Sequence, residues 1–145
     1  MIQDNKFKIR CRGIILHEDK LLVVRHQEDA KYTALPGGHL EPGEGIEECM
    51  RREFFEELGI QPTIGRLLYV NDFMDGEYQS IEFFFEVVNG VDFVGCHLKE
   101  RSHAFELCEI HWVSSGEESD ILPSRIADDL RGNTLLSDQT RFIRN

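Results

Sequence analysis

The pattern of apolar and polar residues predicts a chain made mainly of strands. Apolar positions alternate with polar ones over five stretches, several of them rich in β-branched or aromatic residues, which is typical of β-strands. The predicted strands are 7–16, 20–26, 64–73, 78–88 and 107–113. Turn signals at 17–20 and 74–77 predict two hairpins, the second of them through Asp75-Gly76. Residues 35–38 are expected to form a short extended piece, and 89–100 fit no single pattern.

Two helices are predicted, one between the strand pairs and one after the last strand. The first carries an apolar stripe at every fourth position, so that one face packs on a core. The stripe consists of Ile46, Met50, Phe54 and Leu58. This helix begins near Ile46, after the breaker-rich loop 42–45, and Gly59 is expected to end it in the left-handed conformation. The second helix is expected over 122–130, with Pro123 near its start and Gly132 after its end.

This order of elements predicts a mixed sheet with helices, in the α+β or α/β class. The 145 residues suit one domain over 1–145, and neither an internal repeat nor a linker interrupts it. Residues 133–145 are polar and are expected to form a loosely ordered tail.

Composition narrows the classes of function. The formal net charge of −11 argues against a large nucleic-acid surface. No apolar run reaches the length of a membrane span, and residues 1–13 lack the apolar core of a signal peptide. The four cysteines form no CxxC pair and no zinc spacing, so we expect reduced thiols in a cytoplasmic protein.

Three glutamates of the first helix point to metal chemistry. Glu53, Glu56 and Glu57 are spaced i, i+3 and i+4, so they share a face and repel one another by roughly 0.2–0.5 kcal/mol per exposed pair. A divalent cation such as Mg²⁺, which prefers carboxylate oxygens, is the simplest compensator. A solvated acidic face would explain any one of these glutamates alone. It does not explain the Arg52 beside them, nor the Leu-Pro-Gly-Gly run at 35–38.

The stretch from Gly38 to Ile60 resembles the Nudix box of the Nudix (MutT-like) hydrolases. That pattern is Gly, five residues, Glu, seven residues, Arg-Glu, an apolar residue, any residue, Glu-Glu, any residue, Gly and an apolar residue. Every fixed position is matched, by Gly38, Glu44, Arg52, Glu53, Phe54, Glu56, Glu57, Gly59 and Ile60. The resemblance implies an α/β/α sandwich with a mixed sheet. It also implies hydrolysis, with Mg²⁺ or alternatively Mn²⁺, of a nucleoside diphosphate linked to another moiety.

The resemblance also implies roles for individual residues. The implied metal ligands are Glu53, Glu56, Glu57 and the backbone carbonyl of Gly37, with Glu44 in support. Arg52 matches the arginine that orients a neighbouring glutamate. The catalytic base is either Glu53 itself or a glutamate on a distant loop. The distant candidates are Glu100, Glu106 and Glu109, of which Glu106 is preferred because it just precedes the strand that carries Trp112.

The substrate stays open at this point. ADP-ribose and a (deoxy)nucleoside triphosphate are equal alternatives, although the proline that marks many ADP-ribose pyrophosphatases is missing near Asp75. Tyr69, Phe73 and Tyr78 either stack on a nucleobase or serve the structure. The Phe83–Phe85 run is expected to pack in the core, or on one side against a second subunit in a homodimer. A non-catalytic Nudix-like module that senses a nucleotide is the alternative function, although such modules typically lose box carboxylates that are kept here.

Overall fold

Two sheets and two helices form the part of the chain that the structure describes. The computed structural model describes residues 6–26, 33–96 and 107–144. In chain order its elements are β1 (Phe7–Ile14), β2 (Leu16–His17), β3 (Lys20–His26), β4 (Gly37–His39), α1 (Ile46–Leu58), β5 (Ile64–Asp75), β6 (Tyr78–Val87), a 3-10 turn (Gly90–Phe93), β7 (Leu107–Ser114), α2 (Ser124–Arg131) and β8 (Arg141–Arg144).

The larger sheet is mixed, as predicted. It has five strands in the order β4-β1-β6-β5-β8, and β1 pairs parallel with β6 while β5 pairs parallel with β8. The predicted Asp-Gly hairpin joins β5 to β6, with Asp75 opposite Tyr78 and Gly76 at φ +62°. The smaller sheet is antiparallel in the order β2-β3-β7. Neither helix of the described ranges is long and apolar enough to cross a membrane.

The core lies in two layers, and β3 runs between them. Successive side chains of a strand point to opposite faces. Leu21 and Val23 accordingly pack in the cluster that contains α2, whereas Leu22 and Val24 pack in the cluster that contains α1. All four are buried, so this strand separates a helix on one side from a helix on the other. This is the helix–sheet–helix layering that the resemblance implies.

The chain after α2 is more ordered than its sequence predicts. The expectation of a loosely ordered tail at 133–145 is wrong for 141–144, which form β8 beside β5. The cause is Arg141, whose guanidinium stacks 3.9 Å from the ring centroid of Tyr69 and donates to Thr134 O at 2.7 Å. Leu135 also joins the α2 core. One arginine and one leucine thus anchor a segment that is otherwise polar.

Candidate active site

Helix α1 is set in place by apolar contacts and by its two ends. Met50, Phe54 and Leu58 of the predicted stripe are fully buried. Gly45 caps the start in an extended conformation, and Gly59 ends the helix at φ +72°, in the left-handed region as predicted. The buried stripe fixes the rotation of the helix about its axis, and the neighbouring face carries the acidic residues toward β4.

Glu53 lies against the backbone of β4, and the glycine at position 38 makes room for it. A Cβ at this position would lie 2.4 Å from Cδ of Glu53 and 2.5 Å from both of its oxygens. The carboxyl group is therefore largely shielded from water, and the whole residue is only 8% exposed. Burial, and to a smaller extent the negative charge of Glu57, raise the pKa of Glu53, Arg52 offsets part of the effect, and the resulting pKa is about 7.

Arg52 holds several acids at once. Its Nε and Nη2 donate to the two oxygens of Glu44 at 2.6 and 2.9 Å, which holds the pKa of Glu44 at about 2. Its Nη1 donates to Glu53 Oε1 at 2.9 Å and lies 3.5 Å from Glu56 Oε2. The fork of the guanidinium is suited to such two-pronged contacts. The contact between Arg52 and Glu53 required for the implied orienting role is thus present.

Glu57 is held by a backbone amide and by a histidine. The Gly37 N–H donates to Glu57 Oε1 at 3.1 Å, and His26 Nε2 lies 2.9 Å from Glu57 Oε2. The residue is 1% exposed. Gly37 itself adopts φ +138°, and a Cβ there would come within 2.1 Å of Cys11 O, so this position requires glycine.

Sequence reasoning missed His26. One signal was available, since Val24 packs in the core beside α1 and a residue two positions further along a strand points to the same side. That period places His26 on the α1 face. It does not by itself give the contact with Glu57, which lies 31 residues away along the chain.

The structure describes one of the three distant candidates for the base. Glu100 and Glu106 lie outside the described residues. Glu109 pairs with Arg25 at 3.2 Å, on the face of β3 opposite to His26. Among these three, the one that the structure places is therefore turned away from the acids of α1.

Two of the three aromatic residues that are candidates for stacking on a nucleobase differ in their exposure to solvent. Tyr69 is fully buried in the α2 core, and its hydroxyl donates to Asp129 Oδ2 at 2.5 Å. Its role is structural. Tyr78, at the β5–β6 hairpin, is exposed.

The donor chemistry of the α1 acids suits a divalent cation. Within residues 6–26, 33–96 and 107–144, no three His, Cys, Asp or Glu side chains are grouped as metal ligands. Arg52 and His26 occupy the oxygens instead. The set nevertheless consists of hard carboxylate oxygens. Burial and then the repulsion from Glu57 raise the pKa of Glu53, and a cation would offset that repulsion.

Two open clefts of the described surface lie away from α1. One of about 510 Å³ lies beside α2 and is lined in part by His17, Asp129 and Leu136. A second of about 100 Å³ lies along β3 and β7, with Arg25 and Asp120 in its wall. Neither is lined by a residue of α1, so chemistry and not cavity size identifies the candidate site.

Comparison with known proteins identifies the family of this chain. The NUDIX domain model matches residues 8–129. An ADP-ribose pyrophosphatase of Methanocaldococcus jannaschii is 36% identical over 94 residues, which cover 61% of this chain and 56% of that protein. This chain thus spans little more than half the length of that curated relative.

Solved structures share the fold. The MutT protein of Methanosarcina mazei Go1 superposes with a TM-score of 0.66 at 24% identity, over 95% of this chain and 100% of that one. The MutT NUDIX hydrolase of Burkholderia pseudomallei gives 0.67 at 20% identity, over 88% and 98%. Because the family model matches residues 8–129, which is most of the chain and includes the whole acidic helix, this chain belongs to the NUDIX domain family.

Proposed function

We propose that this protein is a divalent-metal-dependent pyrophosphohydrolase. It cleaves a nucleoside diphosphate linked to another moiety, through attack of water on phosphorus. The observation that carries the proposal is the buried Glu53, which has a pKa of about 7 and lies near the like charge of Glu57. Both residues belong to a helix that keeps every fixed position of the Nudix box. Such a pair suits proton transfer and cation binding near neutral pH.

The residues proposed to hold the metal are Glu53, Glu56, Glu57 and the carbonyl of Gly37. A bound Mg²⁺, or alternatively Mn²⁺, would neutralise phosphate charge and acidify a water molecule. The acidic character of the chain supports the proposal indirectly, because a net charge of −11 repels an anionic substrate unless cations offset it.

Two residues are proposed to handle the proton. Glu53 is one candidate for the base, since its raised pKa lets it accept a proton from water near neutral pH. Glu106 is the other and stays a prediction. Arg52 is proposed as the positioning residue, because it holds Glu53 while Glu44 holds Arg52.

ADP-ribose is the first substrate to assay. The curated relative named an ADP-ribose pyrophosphatase favours it over a nucleoside triphosphate, which remains the second candidate. A cytoplasmic location is proposed from the free thiols of Cys11 and Cys49, and a homodimer stays a prediction.

A panel of nucleotides tests the function. The purified protein is incubated with ADP-ribose, nucleoside triphosphates and other nucleoside diphosphate derivatives, each with Mg²⁺, with Mn²⁺ or with a chelator. We expect hydrolysis of at least one compound, complete dependence on the metal, and a nucleoside monophosphate among the products. Tight nucleotide binding with no turnover of any compound would instead identify a nucleotide-sensing module.

A further inference from the structure

A buried polar cluster lies on the α2 face of the five-stranded sheet, away from the acids of α1. It consists of Arg12 on β1, Asn71 on β5, and Ser80 and Glu82 on β6, which are 9%, 0%, 2% and 6% exposed. These strands are neighbours, and Asn71 stands directly opposite Glu82. Charged and amide side chains are rarely buried in the middle of a sheet unless they are paired or serve a ligand.

The hydrogen bonds within the cluster leave two atoms over. Arg12 Nε donates to Glu82 Oε2 at 2.8 Å, and Asn71 Nδ2 donates to Glu82 Oε1 at 3.0 Å. An ionised carboxylate only accepts, so the amide of Asn71 must turn its NH₂ toward Glu82. Asn71 Oδ1 and Ser80 Oγ are then buried with no hydrogen-bond partner among the described residues. Each such atom destabilises the fold until something pairs with it.

The position of the cluster connects it to the candidate active site. Arg12 pairs with Gly37 across β1 and β4, and the Gly37 N–H holds Glu57. Glu82 lies on β6, two strands from β4, or about 10 Å at the usual strand spacing. That separation is within the length of a nucleotide.

Lys8 and Arg10 add positive charge to this face beyond Arg12, whose charge Glu82 balances. Lys8, Arg10 and Arg12 occupy alternate positions of β1, so all three point to the side of the cluster. They stand together in a chain whose net charge is −11. Burial lowers the pKa of His39, which pairs with Arg10 on β4, and the nearby charges of Lys8 and Arg10 lower it further.

We propose that this cluster is the subsite that binds the base of the nucleotide. Asn71 Oδ1 accepts an N–H of the base edge, and the Ser80 hydroxyl donates to a neighbouring ring nitrogen or carbonyl oxygen. The edge of a nucleobase presents such donors and acceptors side by side. That the ligand is a nucleotide rests on the proposed function. The competing explanation is an ordered water between Asn71 and Ser80 that serves stability alone.

Ser80→Ala separates the two explanations. Binding is measured by calorimetry without metal, using AMP, GMP, CMP, UMP and ribose 5-phosphate. We expect the wild type to bind at least one nucleotide about tenfold or more tightly than ribose 5-phosphate. Ser80→Ala should lose most of that preference with no fall in melting temperature, because it removes a hydroxyl that has no partner. Asn71→Leu should also lose the preference and leave ribose 5-phosphate binding unchanged.

Tyr69→Phe is the matched control. It also removes a buried hydroxyl, here from the same face of the sheet on β5. Unlike the Ser80 hydroxyl, this one donates a hydrogen bond to Asp129. It should lower the melting temperature and keep the preference for the nucleotide. The subsite is overturned if Ser80→Ala melts lower and binds nucleotides as the wild type does, or if the variants weaken nucleotide and ribose 5-phosphate equally.

The same measurements separate this proposal from the proposed function. A wild type that prefers a nucleotide through Asn71 and Ser80 but hydrolyses nothing supports the subsite and contradicts the pyrophosphohydrolase. A wild type that hydrolyses nucleotides but binds ribose 5-phosphate as tightly as any of them overturns the subsite and leaves the activity standing.

Discussion

Glu53 on α1 and Asp129 on α2 are equally buried, at 8% exposure each, yet they are in opposite electrostatic situations. Asp129 accepts from the Tyr69 hydroxyl at 2.5 Å, from Arg125 Nε at 3.0 Å and from Arg141 Nη1 at 3.1 Å. Burial alone would raise the pKa of Asp129, but these partners outweigh it and the pKa lies below its usual value. Among residues 6–26, 33–96 and 107–144, the cation that pairs with Glu53 is Arg52, which Glu53 shares with Glu44.

The difference shows what distinguishes an acid that holds a fold from one that is poised to react. Burial is common to both, so it cannot be the criterion. The criterion is the balance of charged and hydrogen-bonding partners. Asp129 has two cations and a hydroxyl as partners, whereas Glu53 faces Glu57 and Glu56 and has a pKa raised to about 7. The first acid stabilises the native state, and the second destabilises it until a proton or a cation arrives.

The strongest test of this comparison is Glu57→Gln. If Glu57 is a metal ligand, kcat/KM should fall at least about 1000-fold, since a bound metal supplies several kcal/mol of transition-state stabilisation. The fold should survive, because a glutamine oxygen still accepts the Gly37 N–H. Steady-state kinetics and circular dichroism measure the two effects.

Glu47→Gln is the matched control for that variant. Glu47 lies on the same helix in an exposed pair with Arg51, 3.4 Å away, and its loss should leave turnover within about twofold. Wild-type turnover in Glu57→Gln would remove Glu57 from the metal site.

The pH dependence of stability should reveal Glu53 in metal-free protein. Its pKa is 4.5 ordinarily and about 7 when folded, so between these values the folded state binds more protons than the unfolded one. The free energy of unfolding should therefore decrease as pH rises from 4.5 to 7, by of the order of 3 kcal/mol from this group. Glu53→Gln should flatten the profile, as followed by urea unfolding in a chelator. A profile equally steep in the variant would assign the titration to another group.

Asp129→Asn should give the converse result. Loss of the charge leaves Arg125 and Arg141 without their carboxylate, and the free energy of unfolding should fall by about 2 kcal/mol at pH 7. The pKa of Asp129 is lowered, so its contribution is complete above the ordinary value of 3.8 and is lost as pH falls through the folded pKa. The variant and the wild type should thus converge in acid. Turnover at 25 °C should stay within a few-fold, and a loss as large as that of Glu57→Gln would contradict the structural role.

Arg52→Lys should give the smallest effect, about a tenfold fall in kcat/KM. A lysine keeps the charge but cannot hold Glu44 with two nitrogens and Glu53 with a third. Because Arg52 lowers the pKa of Glu53, the variant should also move the stability transition of metal-free protein to higher pH. Arg51→Lys, at the exposed neighbouring position, should change neither quantity. An unshifted transition in Arg52→Lys would show that Arg52 does not position Glu53.

Much of this architecture can be predicted from local signals. The helix bounds follow from the loop 42–45, the apolar stripe and Gly59, and the structure starts and ends α1 there. The β5–β6 hairpin follows from Asp75-Gly76. These features depend on residues close together in the chain, where periodicity and turn chemistry act directly.

The features that escape prediction depend on distant pairs. Asp129 meets Tyr69 across 60 residues, and no spacing marks either residue beforehand. Strand β8 is only four residues long, and its position beside β5 is supported by the stacking of Arg141 on the ring of Tyr69. The raised pKa of Glu53 is likewise invisible in sequence, because it results from how deeply the packing of α1 against β4 buries one carboxyl group.

The buried stripe of α1 has a consequence for how the acids are aimed. Three uncharged, fully buried side chains set the rotation of the helix about its axis: Met50, Phe54 and Leu58. One residue inserted between Met50 and Glu53 would turn Met50 by about 100° relative to Phe54 and Leu58, given 3.6 residues per turn. The helix could then no longer bury all three stripe residues while Glu53 and Glu57 lie against Gly38 and Gly37. The orientation of the acids is therefore determined by buried apolar side chains that do not contact the substrate.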